Sequence, residues 1–410
     1  MSAVPEIDAA LKDVAERFGT PAFVYFGPAI DARVAQLHAA FGDRFALSYA
    51  VTSNPNPALL TWLKGRADLL DVSSIGEFHL GVRAGWDPAK LSFTGPGKRD
   101  FELRQAIEGG VGELIVESVR EAVAADRIAA ELGRVQDILV RIAPTRVPKG
   151  FGDHMAGRPC AFGVDQEDVD TDLPKILALK HLRCVGLHIY SGTQCLKPAA
   201  IVENYHNFLA IFREICGRYD LTPQKLVLGS GLGIPYHDED SALDLAEVAA
   251  GIVGELDAFL REPRFADTRL VLELGRYLVG EAGYFLTRVV SVKQSRGSRI
   301  GICDGGMNNH LPASGNFGMV VPRNYSMHKV GGSGPDEKVD LVGPLCTSID
   351  RLARGRLMPR IDEGDLIAVH NSGSYGLTAS PIHFISHTPP REVFVDAAGP
   401  RDVTRFTSGT

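Results

Sequence analysis

The sequence predicts a (β/α)8 barrel followed by a β-rich domain, and two patterns support this prediction. The first is an alternation of eight short apolar runs with helical patterns, which is typical of parallel strands covered by helices. The eight runs are 46–51, 69–73, 91–94, 113–117, 137–142, 184–189, 225–229 and 269–274. The second is a change at about residue 281 to strand-like runs separated by Gly-, Pro- and Asn-rich loops. A doubly wound sheet is the alternative for the first part, but eight near-regular repeats favour a closed barrel.

The remaining elements follow from local patterns. Residues 20–26 are strand-like, and residues 30–41 carry apolar side chains at helical spacing. The clearest helical patterns between barrel strands are 102–108, 119–132, 199–219 and 243–260. The strand-like runs of the last third are 284–292, 298–303, 366–369 and 392–395. Because the first strand precedes the barrel and needs an edge to pair with, we predict a barrel over 28–280 and a β domain built from 1–27 and 281–410.

Composition and charge limit the possible functions. The 410 residues suffice for two or three domains, and 45% hydrophobic with 23% charged residues is ordinary for a soluble protein. A net charge of −7 disfavours nucleic acid as a partner, because such a site needs a basic face. We expect no membrane span and no signal peptide, since the sequence lacks an apolar run of about 18 residues and a basic, apolar leader. The expected location is the cytoplasm.

The six cysteines include no Cys-x-x-Cys pair. This spacing favours reduced thiols over a disulfide framework or a zinc site, and we predict no metal site. We expect most of the cysteines in the core, with Cys346 as the exception.

Polar residues follow the predicted barrel strands at the end where barrel active sites lie. Their convergence on one rim predicts a binding or catalytic site. The candidate residues at this rim are Thr52, Asp71, Glu77, Lys98, Glu117, Arg141, His188, Ser191, Gly231, Gly233, Glu273, Gly275 and Arg276.

The glycine cluster Gly229-Ser-Gly231-Leu-Gly233 follows the seventh strand and allows two interpretations. Its backbone N–H groups can bind a phosphate, or it can be a tight turn between strand and helix. Gly275 and Arg276 on the next strand add another N–H group and a cation, as phosphate sites after strands seven and eight of barrels often do. The combination favours a phosphate site.

The first barrel strand ends in Tyr49-Ala-Val-Thr52-Ser-Asn-Pro-Asn56. This segment resembles the Tyr-Ala-Val-Lys-x-Asn-Pro-Asn signature of the fold-type III pyridoxal-phosphate (PLP) decarboxylases, the ornithine and diaminopimelate decarboxylase family. His188 with Ser191-Gly192 resembles the family's His-x-x-x-Gly motif. Three segments of the β domain resemble further family motifs, namely Asp304-Gly-Gly-Met-Asn308, Gly343-Pro-Leu-Cys346-Thr-Ser-Ile-Asp350 and Gly373-Ser-Tyr375-Gly376. The motifs occur in family order along the chain, so chance agreement is remote.

The resemblance implies an alanine racemase-like fold that binds PLP. In the family a lysine carries the cofactor as a Schiff base, a histidine stacks on its ring, and a serine and a tyrosine hold its phosphate. The implied catalytic positions are Thr52 (in place of the lysine), Cys346, His188 and Glu273. The implied cofactor-binding residues are Ser191, Gly231, Gly233, Glu273, Gly275, Arg276 and Tyr375. We assign substrate binding to Asp350, Thr347 and Arg141.

Glu273 and His188 can also be explained without a cofactor. A carboxylate at the end of a core strand needs a partner, which is either a neighbouring Arg or Lys or the protonated nitrogen of the PLP ring. A single buried His is most often a core residue with satisfied hydrogen bonds. The surrounding motifs favour the cofactor interpretation for both residues.

The implied reaction is α-decarboxylation of an amino acid, with Cys346 as the proton donor to Cα. In the family the segment with the Cys and the Asp enters the partner subunit's site, which implies a head-to-tail homodimer with two shared active sites. Racemases of this fold usually place a cation at the ring nitrogen, so Glu273 together with Cys346 favours decarboxylation. A racemase and a non-catalytic homologue that binds a partner protein remain the alternatives.

Thr52 is the main departure from the family, because a hydroxyl cannot form an imine. We expect turnover to fall by several orders of magnitude without the lysine. Two explanations are open: an engineered variant that traps bound substrate, which the intact remaining motifs favour, or a natural member that has lost decarboxylation. Lys98 lies on the same rim, but it matches the family's own Lys near strand three and is a poor substitute.

Two further departures concern the substrate. Diaminopimelate decarboxylases carry a Glu at the position of Thr347, where it helps to bind the distal amine, so diaminopimelate is disfavoured. The family's Lys-Phe-Gly is Ala161-Phe162-Gly163 here, and segments 310–317 and 384–392 resemble a biosynthetic subgroup that acts on carrier-bound or conjugated amino acids. Loop 145–159, which contains Arg146, Lys149, His154 and Arg158, either meets a phosphopantetheine arm or an acidic carrier, or is a solvated basic connection. The expected partners are therefore a small amino acid or an aminoacyl carrier protein.

Overall fold

The computed structural model describes residues 4–319, 321 and 323–405. These residues form two compact units. The barrel unit comprises Val34–Ile234 and Ala242–Tyr277, and the β unit comprises the residues up to Arg33, Pro235–Ser241 and the residues from Leu278 onward.

Strands occur throughout both units. In chain order they are β1 (Ala22–Phe26), β2 (Ala46–Ala50), β3 (Leu69–Val72), β4 (Leu91–Phe93), β5 (Glu113–Val116), β6 (Gln136–Ala143), β7 (Asp153–His154), β8 (Val164–Asp165), β9 (Leu182–Ile189), β10 (Gly192–Thr193), β11 (Lys225–Gly229), β12 (Arg269–Leu274), β13 (Gly283–Ser295), β14 (Ser298–Cys303), β15 (Met327–Lys329), β16 (Asp336–Val342), β17 (Arg351–Pro359), β18 (Leu366–Val369), β19 (Arg391–Asp396) and β20 (Gly399–Asp402).

Helices are concentrated in the barrel unit. The α-helices are α1 (Val4–Phe18), α2 (Gly27–Phe41), α3 (Pro57–Leu63), α4 (Ile75–Arg83), α5 (Asp100–Glu108), α6 (Val119–Glu131), α7 (Val169–Leu177), α8 (Pro198–Arg218), α9 (Leu245–Arg261) and α10 (Arg276–Val279). Single 3-10 turns are formed by Val51–Ser53, Pro88–Lys90, Gln166–Asp168, Gly280–Ala282 and Phe384–Ser386.

The barrel consists of eight parallel strands, as the sequence predicts. Their order is β5-β4-β3-β2-β12-β11-β9-β6, and pairing of β5 with β6 closes the ring. All eight predicted strands are present within a few residues of their expected ends. Each of these strands is buried on both faces, which is why its sequence is a continuous run of apolar residues.

An apolar layer fills the inside of the barrel. It consists of Ala46, Leu69, Ile115, Leu139, Val185, Val227 and Val271, one from each of seven strands. All of these side chains are at most 9% exposed. The barrel interior is therefore a packed core at this level, and a functional site must lie nearer the carboxyl ends of the strands.

The β unit contains a mixed sheet in the order β17-β16-β14-β13-β1-β19-β20, and β18 also pairs with β13. Strand β1 is antiparallel to β13 and parallel to β19. The N-terminal strand therefore pairs within the sheet of the β unit. Helix α1 packs Leu11 and Val14 into the core of this unit. The sequence analysis did not predict this helix.

Among the described residues, no helix has the length and apolar character needed to span a bilayer. The six cysteines are all free thiols. Cys195, Cys216 and Cys303 are buried and Cys184 is half-buried, whereas Cys160 is exposed like Cys346. The expectation of core positions therefore fails for Cys160, which lies in an exposed loop.

Candidate cofactor and active site

Thr52 lies at the barrel rim on the single turn Val51–Ser53, directly after β2. Its side chain is half-buried. The Tyr49 hydroxyl donates to Asn54 O (2.9 Å) and accepts a hydrogen bond from Ser53 Oγ (3.0 Å). The contacts of Tyr49 with Ser53 and Asn54 thus hold the turn on which Thr52 lies.

Gly275 lets the end of β12 approach this turn. A methyl group at Gly275 would lie 3.1 Å from Ser53 Cβ, closer than most real contacts of that kind, and 3.4 Å from Ala50 Cβ. Arg276 follows as the half-buried first residue of α10. The ends of β2 and β12 are neighbours in the barrel, so these residues share one side of the rim.

A polar layer lies on the apolar layer, towards the carboxyl ends of the strands. Side chains two residues apart on a strand point to the same side, so each apolar position is followed by a second inward position. The residues two positions after members of the apolar layer include Ser48, Asp71, Glu117, Arg141 and Glu273. All five are buried. His188 joins the same layer, since it is the strand partner of Arg141.

Glu273 and His188 contact each other within this layer. His188 Nε2 and Glu273 Oε2 are 2.9 Å apart, and both side chains are buried. The partner of Glu273 is thus a histidine and not the Arg or Lys that a cofactor-free site suggested. His188 Nδ1 is buried, and no hydrogen-bond partner for it occurs within the described ranges. His188 therefore is not a core histidine with satisfied hydrogen bonds.

Burial sets the protonation of this pair. It raises the pKa of Glu273 to about 7 and lowers the pKa of His188 to about 3. The imidazole is therefore neutral at physiological pH, whereas the carboxyl group is close to half-protonated. Burial, reinforced by the charge of Glu273, also raises the pKa of Asp71 well above its usual range. Glu273 and Asp71 are therefore carboxyl groups that keep their protons to a higher pH than usual.

Arg141 is held by Glu117 on the other side of the layer. Its Nη1 lies 3.1 Å from Glu117 Oε2, and both side chains are at most 5% exposed. Glu117 also accepts hydrogen bonds from the backbone N–H groups of Gly95 (2.7 Å) and Gly163 (3.0 Å). The guanidinium of Arg141 further lies over the Phe162 ring, 4.7 Å from its centroid. Arg141 is therefore a rigid cation within the site.

Lys98 is fully engaged elsewhere on the rim. Its Nζ donates to Glu121 Oε1 (2.7 Å), Gly95 O (2.7 Å) and Ile115 O (2.8 Å). An ammonium group has three hydrogens, so all of them are used. The side chain is only 1% exposed. Lys98 is therefore built into the rim as a structural cation.

The glycine cluster is tied to the loop after β9. Cys195 N donates to Gly231 O and Gly233 N donates to Cys195 O, both at 2.9 Å. Gln194 holds the residue that follows the cluster, since its Nε2 donates to Ile234 O (2.6 Å) and its Oε1 accepts from Ile234 N (3.1 Å). The N–H of Gly233 is thus used within the protein. The N–H of Gly231 makes no such hydrogen bond in the described part of the chain, so of the two N–H groups it is the one available to a ligand.

A strap formed by residues 150–156 covers the cluster. Its strand β7 pairs with β10, and Met155 N donates to Ser191 O (2.8 Å). Phe151 packs on Gly231, where a methyl group would collide with its ring. Gly231 also has a φ of +68°, so both its backbone and its surroundings require glycine. The sequence analysis treated this segment as a loop and gave no contact between it and the cluster.

Ser191 has a buried partner that the sequence analysis missed. Its Oγ donates to Asn204 Oδ1 (2.8 Å), and Asn204 Nδ2 is buried with no hydrogen-bond partner among the described residues. Turning the amide by 180° would let Nδ2 donate to Ser191 Oγ and would release the hydroxyl hydrogen. An Asn on the buried face of a helix was the only available signal for this contact.

Four predicted site residues lie in the β unit. The Asp350 carboxylate is buried and accepts hydrogen bonds from Met307 N (2.6 Å) and Leu345 N (2.8 Å). It therefore holds the two family motif turns together, and its contact with a substrate stays a prediction. Cys346 is exposed and Thr347 is half-buried. Tyr375 is half-buried with a φ of +57°, an uncommon conformation for a residue with a large side chain.

Comparisons with known proteins place this site in a family. Residues 28–280 match the family model of the pyridoxal-binding domain of pyridoxal-dependent decarboxylases. The chain belongs to the pyridoxal-dependent decarboxylase family. This membership implies PLP as the cofactor and confirms the family that the sequence motifs indicated.

Relatives of this family member cover nearly the whole chain. An L-glutamyl-[BtrI acyl-carrier protein] decarboxylase from Niallia circulans is 33% identical over 393 residues, which are 94% of this chain and 91% of that protein. A diaminopimelate decarboxylase from Methanothermobacter thermautotrophicus is 31% identical over 96% of this chain and 90% of its own. The structure of diaminopimelate decarboxylase from Helicobacter pylori with L-lysine matches with a TM-score of 0.85 at 26% identity, covering 97% of this chain and 96% of that one. The predicted fold is therefore confirmed.

The raised pKa of Glu273 makes the stability of this family member depend on pH. The folded state binds the proton more tightly than the unfolded state, because the pKa is about 7 against an ordinary value of 4.5. This group therefore lowers the free energy of unfolding by about 3 kcal/mol as the pH rises from about 4.5 to about 7. We expect the melting temperature of the unsubstituted protein, relative to Glu273→Gln, to fall between pH 5 and pH 8 in calorimetry without PLP. Glu16→Gln at an exposed position is the control, and a difference that does not change with pH would contradict the assignment.

Proposed function

We propose that this chain is built for PLP-dependent α-decarboxylation of an amino acid presented on a carrier or as a conjugate. The observation that carries the proposal is the 33% identity, over 94% of this chain, to a decarboxylase of an L-glutamyl acyl-carrier protein. Thr347 supports it, because diaminopimelate decarboxylases carry at this position a Glu that helps to bind the distal amine. We also propose 28–280 as the PLP-binding barrel, with 1–27 and 281–410 as the β domain.

The barrel rim offers groups that suit each part of PLP. Gly231, Gly275, Arg276 and Ser191 would hold the phosphate, and the family motif alone assigns the same role to Tyr375. Support comes from the N–H of Gly231 and from the Asn204 amide, which can free the Ser191 hydroxyl for a phosphate oxygen. Gly233 has a smaller direct role, since its N–H already donates to Cys195 O.

When bound, PLP supplies a ring that accepts the electron pair left on Cα as CO2 departs. Glu273 would keep a proton on the ring nitrogen, and its pKa of about 7 suits it to share a proton with a nitrogen base. His188 would lie against the ring as a neutral imidazole. Arg141, fixed by Glu117, would offer its charge to a carboxylate of the substrate.

We further propose a head-to-tail homodimer in which each β unit completes the partner's active site. Cys346 would then give the proton to Cα, while Thr347 and Asp350 would line the substrate pocket. Support comes from the exposure of Cys346 and of two apolar neighbours, Phe317 (53%) and Ile349 (52%), since exposed apolar side chains of this size often mark an interface.

Thr52 makes this form a slow or trapping variant in our proposal. Its hydroxyl cannot form the covalent link to PLP, and Lys98 is too engaged to replace the missing lysine. The non-covalent contacts of the pocket remain. The chain should therefore bind PLP and substrate but release CO2 slowly.

The function is tested with the Thr52→Lys variant and excess PLP. We expect CO2 release to have the highest kcat/KM with the L-glutamyl thioester of the BtrI carrier protein, lower values with free L-glutamate, and the lowest with meso-diaminopimelate. A preference for meso-diaminopimelate would contradict the carrier-bound substrate. Exchange of the Cα hydrogen with solvent without CO2 release would instead indicate a racemase.

A further inference from the structure

A basic groove lies on the barrel unit beside the strap. It consists of a cavity of about 610 Å³ and an adjoining cavity of about 320 Å³, which share Arg146. Volumes of this size are typical of ligand sites in proteins. The charged residues that line the two cavities are Arg146, Lys149, Lys197, Glu203 and Glu214.

Positive charge dominates the larger cavity. Arg146 forms an ion pair with Glu203 (2.9 Å), which is the acidic residue lining this cavity. Lys149 and Lys197 are exposed, and neither forms an ion pair within residues 4–319, 321 and 323–405. Two uncompensated ammonium groups thus face one cavity on a chain whose net charge is −7. This charge distribution suits an anionic ligand.

The groove adjoins the glycine cluster, which is the candidate phosphate site. A methyl group at Gly150 would lie 3.0 Å from Lys197 Cδ and 3.6 Å from Cys195 Sγ, so the start of the strap contacts the groove wall. One residue later, Phe151 packs on Gly231. The wall of the groove and the glycine cluster are therefore connected through two consecutive residues of the strap.

We infer that the basic groove binds the phosphopantetheine arm of an acyl carrier protein, with Lys149 and Lys197 binding its phosphodiester. The inference rests on the proposed function, because only a carrier-bound substrate brings such an arm. The arm is a narrow chain with one anionic group, which suits a groove lined by two uncompensated ammonium groups. Arg146 contributes less, since Glu203 already neutralises it.

The test compares two small probes that differ only in one phosphate group. They are L-glutamyl thioesters of 4′-phosphopantetheine and of pantetheine. Binding is measured by calorimetry on the full chain with excess PLP, so that the cofactor occupies its own phosphate site. Thr52 is an advantage here, because slow turnover allows equilibrium measurement. We expect the phosphorylated probe to bind about tenfold more tightly, and this difference to vanish in Lys149→Glu/Lys197→Glu.

A matched control and a second readout keep the outcomes distinct. Lys180→Glu, an exposed lysine outside the groove, should preserve the phosphate preference. A phosphate preference that survives the double substitution, or no preference in the protein with both lysines, would overturn the groove assignment. Decarboxylation of the glutamyl carrier by Thr52→Lys is measured separately. If CO2 release is normal while the phosphate preference is absent, the groove proposal fails and the proposed function stands.

Discussion

Replacing Thr52 by lysine is expected to raise the rate of CO2 release by about three orders of magnitude or more. A lysine amine at this position would supply the covalent attachment point for PLP that the threonine hydroxyl cannot supply. The change is measured as the initial rate of CO2 release from L-glutamyl carrier protein, for both proteins at saturating PLP.

Two further substitutions separate chemistry from charge at this position. Thr52→Ser keeps a hydroxyl and should remain slow. Thr52→Arg adds a positive charge that cannot form an imine, so it should also remain slow even if PLP binds more tightly. A rate for Thr52→Arg equal to that of Thr52→Lys would show that charge, and not covalent attachment, limits this chain.

Glu117→Ala is expected to lower the free energy of unfolding of the barrel by about 3–5 kcal/mol. The substitution leaves the buried Arg141 guanidinium without its carboxylate and removes the acceptor of Gly95 N and Gly163 N. The loss is measured by chemical denaturation followed by tryptophan fluorescence.

The control for this prediction is an exposed ion pair. Glu131→Ala removes the partner of Arg127 and Arg104 on the barrel surface, where the Glu131 side chain is 43% exposed. It should lower the free energy of unfolding far less than Glu117→Ala does, because water and salt screen an exposed ion pair. Equal costs for the two substitutions would mean that Glu117 is not the residue that holds the rim together.

The barrel was predictable because its signal repeats. Eight parallel strands buried on both faces must each be an apolar run, and a polar residue two positions beyond the apolar layer must face the same interior. This reasoning locates Glu117, Arg141 and Glu273 in the site. The family motifs supplied Thr52 and the residues of the β domain, which no periodicity would have identified.

Contacts between distant segments were not predictable in the same way. The pairing of His188 with Glu273 and that of Ser191 with Asn204 depend on how strands and helices meet. The strap is another case, since its two-residue strand β7 is too short to leave a pattern in the sequence. Helix α1 does carry apolar residues at helical spacing, including Leu11 and Val14, and was detectable in principle.

The central claim is that this chain keeps a working PLP pocket from which the covalent anchor is missing. The most direct measurement is borohydride reduction of the PLP-loaded Thr52 protein and of the Thr52→Lys variant, followed by peptide mass spectrometry. We predict that the Thr52 protein retains PLP without any covalent adduct, and that the variant carries one PLP on the introduced lysine. A PLP adduct on Lys98 in the Thr52 protein, or no PLP retained by either protein, would contradict the account.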